Sequence, residues 1–178
     1  MTEAKVNLDL TERLIADNKK QIEGVDRIPL KINSDDRGHL IEVCRTDWSR
    51  IQEILPGFPE NRINQVYVVH NDRRDIVRAF HKHSHLWDLF SIIKGSARFV
   101  LVDDRPLSPT YGVMNEYVLG TRNMSLLIVP PGVFHGWMSL EDDTILNSIA
   151  SHTYNQTKPD EVRIPPDSFR YDWSIKGR

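Results

Sequence analysis

Three histidines occur at alternate positions in one short stretch of the sequence, His81, His83 and His85. On a β-strand the residues i, i+2 and i+4 share one face, so the three imidazoles are expected to point in the same direction. Clustered imidazoles suit two kinds of chemistry, since a neutral ring nitrogen can accept a proton or bind a transition metal. This stretch is therefore the first candidate for a functional site.

A second candidate stretch contains His135. An apolar run at residues 126–129 precedes Pro130 and Gly132, and the histidine follows the glycine at the third position. The pattern predicts a buried strand, a turn at proline and glycine, and a histidine on the returning strand. A buried imidazole at such a place also fits a structural role, in which the ring is hydrogen-bonded to the backbone.

Together the two stretches resemble the two signature motifs of the cupin superfamily. The first has the form His81-x-His83, four residues, Asp88, six residues and Gly95, and the second has the form Pro130-x-Gly132-x-x-His135. Asp88 stands where metal-binding cupins usually carry a glutamate. The resemblance implies a jelly roll, which is a sandwich of two antiparallel sheets.

Length and composition predict a single domain that does not bind nucleic acid. A chain of 178 residues is typical of one hydrophobic core, and a net charge of -2 provides no clustered basic surface for a phosphate backbone. Cys44 is the only cysteine, so no intrachain disulfide can form. Since no segment approaches the roughly 20 apolar residues of a membrane-spanning helix, we expect a cytoplasmic protein without membrane contact.

The pattern of polar and apolar residues divides the chain into an arm and a domain. Residues 1–25 are polar, with apolar positions at roughly helical spacing, which predicts an N-terminal arm, and residues 26–178 form the domain. Within the domain, residues 51–55 have the pattern of a short helix that ends at Pro56. Residues 157–178 contain Pro159, Pro165 and Pro166 and are expected to form an extended C-terminal strap.

Short β-like runs fill most of the domain and are separated by turn residues. Such runs occur at residues 40–44, 66–70, 90–93, 97–102, 116–119, 125–129 and 144–149. Many short strands without alternating helices are typical of an antiparallel sandwich or barrel. The predicted fold is therefore all-β, a cupin double-stranded β-helix (jelly roll) with short peripheral helices.

A narrower resemblance runs from residue 36 to residue 173, to the sugar-nucleotide epimerases typified by dTDP-4-dehydrorhamnose 3,5-epimerase. The matching segments follow one another in the family's order and at family-like spacing. They are Asp36-Arg-Gly38 with Glu42, Gln65, Arg78-Ala-Phe-His81, Val102-Asp-Asp-Arg105 with Ser108-Pro-Thr-Tyr-Gly112, and Val129-Pro-Pro-Gly-Val-Phe-His-Gly136. The resemblance implies a 3,5- or 3-epimerase that acts on a nucleotide-linked 4-keto-6-deoxy sugar, in deoxysugar or surface-polysaccharide synthesis.

This resemblance implies roles for individual residues. His81 is the base that removes the proton next to the ketone, and Arg78 helps to hold the substrate or the developing charge. Arg37 meets the diphosphate, since a guanidinium forks onto phosphate oxygens. The other substrate-binding residues that the resemblance implies are Glu42, Gln65, Asn147 and His135. The chemistry requires no cofactor, and the family precedent implies a homodimer.

Three departures from the family pattern leave other functions open. Asp88 stands where the family has the lysine that helps to stabilise the enolate, and Asn147 stands where it has the tyrosine that acts as general acid, for which Tyr154 is the nearest substitute. We identify no counterpart of the family's C-terminal aspartate after Trp173. One alternative is a metal-dependent cupin oxygenase or isomerase. Its single divalent transition metal would be bound by His81, His83, Asp88 and His135. The second alternative is a sugar-binding cupin without catalysis.

Two further features are interpreted as structural. His85 is expected to be a polar residue at the rim of the strand that carries His81. Asp104 and Arg105 are interpreted as an ion pair that fixes a loop.

Overall fold

The computed structural model describes residues 20–54 and 63–175 of the chain. The secondary-structure elements of these residues are, in chain order, β1 (Asp26–Pro29), β2 (Ile32–Asp35), β3 (Gly38–Ile41), α1 (Ser49–Ile54), β4 (Gln65–Asn71), β5 (Val77–Lys82), β6 (Asp88–Lys94), β7 (Ser96–Asp103), β8 (Met114–Gly120), β9 (Ser125–Val129), β10 (Val133–Ser139), β11 (Thr144–Ala150) and β12 (Val162–Arg163). Within the described ranges, no helix is long and apolar enough to cross a membrane. The helix predicted at residues 51–55 corresponds to α1.

The strands form two five-stranded sheets and a separate hairpin. The first sheet has the order β1-β9-β6-β11-β4, the second has the order β12-β5-β10-β7-β8, and β2 pairs with β3 in the hairpin. The strand pairs are antiparallel. The chain crosses repeatedly between the sheets, for example from β9 to β10 and back to β11, as a jelly roll requires. The predicted all-β fold is confirmed.

The core lies between the two sheets. Phe90 and Ile92 of the first sheet pack against Phe99, Leu101 and Trp137 of the second sheet, and each of them is at most 5% exposed. Alternate residues of each strand face this layer, so aromatic and branched side chains at every second position are sufficient to define it. Burial of each such side chain contributes about 1.5–3 kcal/mol. The core therefore fixes the separation of the two sheets.

The C-terminal strap closes the outer side of the second sheet. Its strand β12 pairs with β5, with Arg163 opposite His81. Further along, Phe169 and Trp173 pack on Phe80 of β5, with ring centroids 4.9 and 5.5 Å apart respectively. The strap therefore holds β5, the strand that carries His81, from the side opposite to β10.

The end of the predicted N-terminal arm packs on the domain. Ile22 and Val25 are buried in the core between the sheets. The amide of Ile22 donates to Asn115 Oδ1 at 2.8 Å, which ties this segment to β8. Residues 1–19 and the helical pattern predicted there lie outside the described residues.

The ion pair predicted between Asp104 and Arg105 is wrong, because each residue has another partner. Arg105 Nε donates to Asp103 Oδ1 at 2.7 Å, and Asp104 pairs with Lys82. Successive residues of a strand point to opposite sides, so Asp103 at the end of β7 turns inward and Asp104 turns outward. Burial alone would raise the pKa of Asp103, but hydrogen bonds from Arg105 and two hydroxyl groups outweigh it and lower that pKa. The loop is fixed as predicted, through the neighbouring carboxylate.

Candidate active site

His81 and His135 lie side by side on the neighbouring strands β5 and β10. They are register partners, and the register shifts immediately after His135. Gly136 sits at this shift, where a Cβ would overlap Ala79 of β5. The missing side chain lets the two strands approach closely, and His81 Nε2 lies 2.9 Å from His135 Nε2. A glycine of β10 therefore brings the two predicted imidazoles into contact.

The strand that carries His81 ends earlier than the sequence indicated. The carboxylate of Asp160 accepts hydrogen bonds from the amides of Ser84 (2.9 Å), His85 (2.9 Å) and Leu86 (3.2 Å). These bonds turn the chain after β5, and the His85 residue is exposed. The prediction that three imidazoles share one strand face is therefore wrong for His85, although His81 and His83 both line one cavity.

His83, Asp88 and His135 form a buried cluster beside His81. Their residues are 8%, 2% and 3% exposed. Asp88 Oδ2 lies 3.5 Å from His83 Nε2 and 3.3 Å from His135 Nε2. One nitrogen or oxygen from each of the four residues lies within 4.8 Å of the corresponding atom of every other. The four residues of the predicted metal alternative are therefore brought together.

Burial shifts Asp88, His135 and His81 towards their neutral forms. It raises the pKa of Asp88 well above its ordinary value, and the negative charge of Glu161 acts in the same direction. Burial lowers the pKa of His135 well below its ordinary value, helped by repulsion from His81 and His83. Burial, with repulsion from His83, also lowers the pKa of His81 to about 4. At neutral pH the His81 ring is therefore uncharged and can accept a proton.

A cavity of about 520 Å³ opens beside these side chains, between the two sheets. Its walls include Phe90 and Trp137, and they also include His81, His83, Asp88 and His135. Its other polar and charged lining residues are Gln65, Tyr67, Arg78, Tyr154, Glu161 and Arg163. Aromatic walls with a few convergent polar groups are typical of a small-molecule site. The structure thus places the predicted Gln65, Arg78, His81 and His135 around one cavity.

The structure does not bring Arg37, Glu42 or Asn147 to this cavity. Arg37 lies on the β2–β3 hairpin, where its exposed guanidinium pairs with Asp35 at 2.5 Å, and Glu42 pairs with Arg45 at 2.9 Å. Asn147 of β11 donates to Ser91 Oγ at 3.3 Å and belongs to the opposite face of the sheet from the cavity-lining residues beside it. Within one chain, these three predicted substrate-binding residues are therefore separate from His81.

Sequence reasoning missed Tyr67, Asp160, Glu161 and Arg163. The place of Tyr67 could have been predicted from the sequence, because Tyr67 lies two residues after Gln65 and so shares its strand face. Asp160, Glu161 and Arg163 belong to the strap, far from the histidines in sequence. No local pattern predicts that the strap would lie along β5.

Comparison with known proteins identifies the family. The family model described as dTDP-4-dehydrorhamnose 3,5-epimerase matches residues 19–177, which is most of the chain. The chain belongs to the dTDP-4-dehydrorhamnose 3,5-epimerase family. The resemblance inferred from the sequence motifs is confirmed.

Two similar proteins match most of the chain. One is the probable low-salt glycan biosynthesis epimerase Agl13 of Haloferax volcanii, which is 34% identical over 159 residues. The alignment covers 87% of this chain and 96% of the Agl13 chain. The spore coat polysaccharide biosynthesis protein SpsL of Bacillus subtilis is 33% identical over 160 residues, covering 88% of this chain and 99% of its own.

A solved structure of the epimerase family has the same fold. It is the dTDP-6-deoxy-D-glucose-3,5-epimerase RmlC of Legionella pneumophila, in complex with dTDP-4-keto-L-rhamnose. The two chains are 25% identical with a TM-score of 0.74, and the match covers 88% of this chain and 82% of the other. Asp88 and the three histidines around it therefore lie in a fold that is shared with a dTDP-sugar epimerase.

Proposed function

We propose that the protein epimerises a nucleotide-linked 4-keto-6-deoxy sugar, in deoxysugar or surface-polysaccharide synthesis. It removes a proton from a carbon next to the ketone and returns a proton to the other face. The observation that carries this proposal is the imidazole of His81 in the wall of a cavity of about 520 Å³, where burial lowers its pKa to about 4. The family match and the glycan and polysaccharide roles in the names of the two relatives support it.

The hydrogen-bond pattern assigns the basic nitrogen of His81. His135 Nδ1 lies 3.1 Å from the carbonyl oxygen of Val133, and because that oxygen can only accept, Nδ1 carries the hydrogen. The lone pair of His135 is then on Nε2, which accepts from His81 Nε2 at 2.9 Å. In the neutral His81 ring the remaining lone pair is on Nδ1. We assign this nitrogen to accept the proton from the sugar carbon.

Tyr67 is the group we assign to reprotonate the sugar. Inversion requires the acid and the base to act on opposite faces of the same carbon. Tyr67 lines the cavity from β4 of the first sheet, whereas His81 lines it from β5 of the second. Burial raises the pKa of Tyr67, so the phenol keeps its proton at neutral pH. A sugar bound between the sheets would have a base on one side and an acid on the other.

Two guanidinium groups can stabilise the enolate oxygen and the diphosphate. Arg78 Nε donates to Asn71 Oδ1 at 2.7 Å and its Nη2 donates to the carbonyl of His70 at 3.3 Å, which orients the group at the cavity wall. Arg163 is held by Glu161 at 2.9 Å and lines the same cavity. A fixed positive charge near a developing oxyanion lowers the barrier to proton removal. This chemistry needs no cofactor.

The proposal is tested by hydrogen exchange. In heavy water, the protein should incorporate deuterium next to the ketone of a dTDP-linked 4-keto-6-deoxy sugar, since the proton returned to the carbon comes from solvent. Proton NMR of the sugar follows the loss of the ring hydrogen, and a reaction without protein is the control. Measurable binding of several such sugars without any exchange would instead indicate a sugar-binding protein without catalysis.

We also propose that the protein is a homodimer. Strand β4 is at the edge of the first sheet among the described residues, and its Val66 and Val68 are 58% and 63% exposed. The β2–β3 hairpin carries exposed Ile32 and Leu40. An uncovered edge with apolar side chains favours pairing with a second chain. If the hairpin of one protomer lies on β4 of the other, Arg37 approaches the partner's cavity, where the sequence resemblance assigns it to the diphosphate.

Replacement of Val68 by lysine should dissociate the dimer. The charge would be placed in an apolar contact, and the sedimentation mass should fall towards that of one 20.7 kDa chain. Leu107→Lys is the matched control, because Leu107 is fully exposed and lies outside this surface. A wild-type protein that sediments as a monomer at micromolar concentration would contradict the proposal.

We propose a cytoplasmic location for the reaction. The chain has a single cysteine, Cys44, so it gains nothing from an oxidising compartment. Fractionation of the producing cells, with the protein detected by antibody, tests this assignment.

A further inference from the structure

Two buried side chains, His83 and Asp88, have no role in the proposed epimerisation. His83 and Asp88 are 8% and 2% exposed, and neither accepts or supplies a proton in the reaction assigned above. A buried carboxylate is costly unless it is paired with a cation or coordinates a metal. Among the described residues, the ion pairs of Asp88 are with His83 and His135. These rings become cations only if a proton is added.

The two imidazoles nearest Asp88 are oriented by backbone carbonyls. His83 Nδ1 contacts the carbonyl oxygen of Asp160, and His135 Nδ1 contacts that of Val133. Each Nδ1 must donate, because a carbonyl oxygen can only accept, and so each Nε2 carries a lone pair. Metal-binding histidines are usually held in this way, with the other ring nitrogen donating to a carbonyl or a carboxylate. Both lone pairs belong to the nitrogens nearest Asp88.

The distances between these atoms match those between ligands of one ion. Two ligands at about 2.1 Å from a metal are about 3.0 Å apart at a right angle and about 3.4 Å apart at a tetrahedral angle. The observed distances are 2.9 Å from His81 Nε2 to His135 Nε2, 3.3 Å from His135 Nε2 to Asp88 Oδ2 and 3.5 Å from His83 Nε2 to Asp88 Oδ2. All four ligand atoms lie within 4.8 Å of one another, so small movements of the side chains would bring them to one centre.

We infer that His81, His83, Asp88 and His135 bind one divalent transition-metal ion. Three imidazole nitrogens and one carboxylate oxygen suit zinc, iron, cobalt, nickel and manganese. The ion would compensate the buried carboxylate, and the adjoining cavity of about 520 Å³ gives small molecules access to the site. The inference does not depend on the proposed epimerase function, because it concerns the ligand atoms alone.

Metal binding and epimerisation use the same ring. An ion on His81 Nε2 leaves the hydrogen on Nδ1, so the ring can no longer accept a proton from a sugar. The metal-loaded protein should therefore exchange sugar hydrogens more slowly than the metal-free protein, and a chelator should restore the rate. Direct metal binding remains measurable even if no sugar is a substrate.

The test is a titration of the full chain, free of any affinity tag and stripped with a chelator. Calorimetry with Zn²⁺ alone should give one equivalent bound. The near-isosteric Asp88→Asn and His83→Gln variants should each weaken binding by more than the roughly 10- to 100-fold typical for loss of an outer-shell partner. Asp160→Ala removes the carboxylate that fixes the turn after β5 but keeps the backbone carbonyl that orients His83, so it should weaken binding less than either ligand variant. Circular dichroism checks that each variant is folded.

A surface cluster provides the matched control. His70 lies 3.4 Å from Asp72 and 3.3 Å from Asp143, and all three side chains are at least 46% exposed. His70→Gln should leave the bound equivalent unchanged. Retention of Zn²⁺ binding in Asp88→Asn would overturn the inference, as would its loss in His70→Gln.

A measurement on the wild type covers the case in which a cluster variant fails to fold. Co²⁺ bound to the protein should give hyperfine-shifted NMR signals from three imidazole N–H groups, one for each histidine in the site. Absence of one-equivalent binding by both Zn²⁺ and Co²⁺ would overturn the inference for the wild type itself.

Discussion

Replacement of His81 by glutamine is expected to lower the rate of deuterium exchange into the sugar by about 10²–10⁴-fold, the usual contribution of a positioned general base. The reason is the state of the ring. Burial and the neighbouring His83 lower the pKa of His81 to about 4, so its lone pair is available at neutral pH. Glutamine can still hydrogen-bond to His135, but its amide cannot accept a proton from carbon. Single-turnover NMR in heavy water on chelator-treated protein measures the rate.

His85→Gln is the matched control for this experiment. It removes an imidazole four positions away, and His85 is exposed on the turn after β5. Its exchange rate should stay within about twofold of the wild type, since surface substitutions away from a site have small effects. If His81→Gln keeps the full rate while the sugar still binds, the base is another residue and the assignment of His81 fails.

The shared orientation of His81 and His83 shows which parts of the site can be predicted from the sequence. A strand repeats every two residues, so the shared face of these two residues follows from their spacing alone. The apolar run at residues 126–129 and the following Pro130 and Gly132 likewise predicted the buried strand and turn before His135. The matched motifs then indicated the family. In each case the signal lies within a few neighbouring residues or within a known pattern.

The parts that sequence reasoning missed depend on distant segments. Strand β5 ends at Lys82 because Asp160, which lies far along the chain, captures three amides of the following turn. No local pattern around His85 contains this information. The misplaced ion pair of Asp104 has the same cause, since its partner Lys82 lies on another strand.

Asn147 illustrates a different limit, because a motif alignment can misplace a residue by one position along a strand. The family tyrosine was placed at Asn147 by motif alignment, yet the cavity is lined by its neighbour Leu146, and Ser148 pairs with Tyr67. A shift of one position moves a side chain to the opposite face of a strand. An alignment without coordinates cannot resolve that single step at a position where the residue type itself has changed. The acid must therefore be sought from geometry, which points across the cavity to Tyr67.

Replacement of Tyr67 by phenylalanine should separate exchange from inversion. His81 can still remove a proton and return a deuteron to the same face, so the sugar should become labelled without changing configuration. Formation of the inverted sugar requires an acid on the opposite side and should fall by about 10²–10³-fold. NMR distinguishes the two outcomes, because the coupling constants of the neighbouring ring hydrogens report the configuration of the labelled carbon. Tyr117→Phe, on β8 and outside the cavity lining, should leave both rates unchanged.

The contrast with Tyr154 decides between the two tyrosines at the cavity. Tyr154 is 48% exposed, compared with 39% for Tyr67. It lies after the end of β11, at the mouth of the cavity, and its amide donates to Gln65 Oε1 at 2.6 Å. Loss of inversion in Tyr154→Phe with full inversion in Tyr67→Phe would assign the acid to the mouth and contradict the assignment to β4. Equal loss of exchange and inversion in Tyr67→Phe would also contradict it, since a residue that acts only in reprotonation cannot slow the first proton removal. Tyr67 is assigned as the acid because it alone of the two lies on a strand of the sheet facing His81.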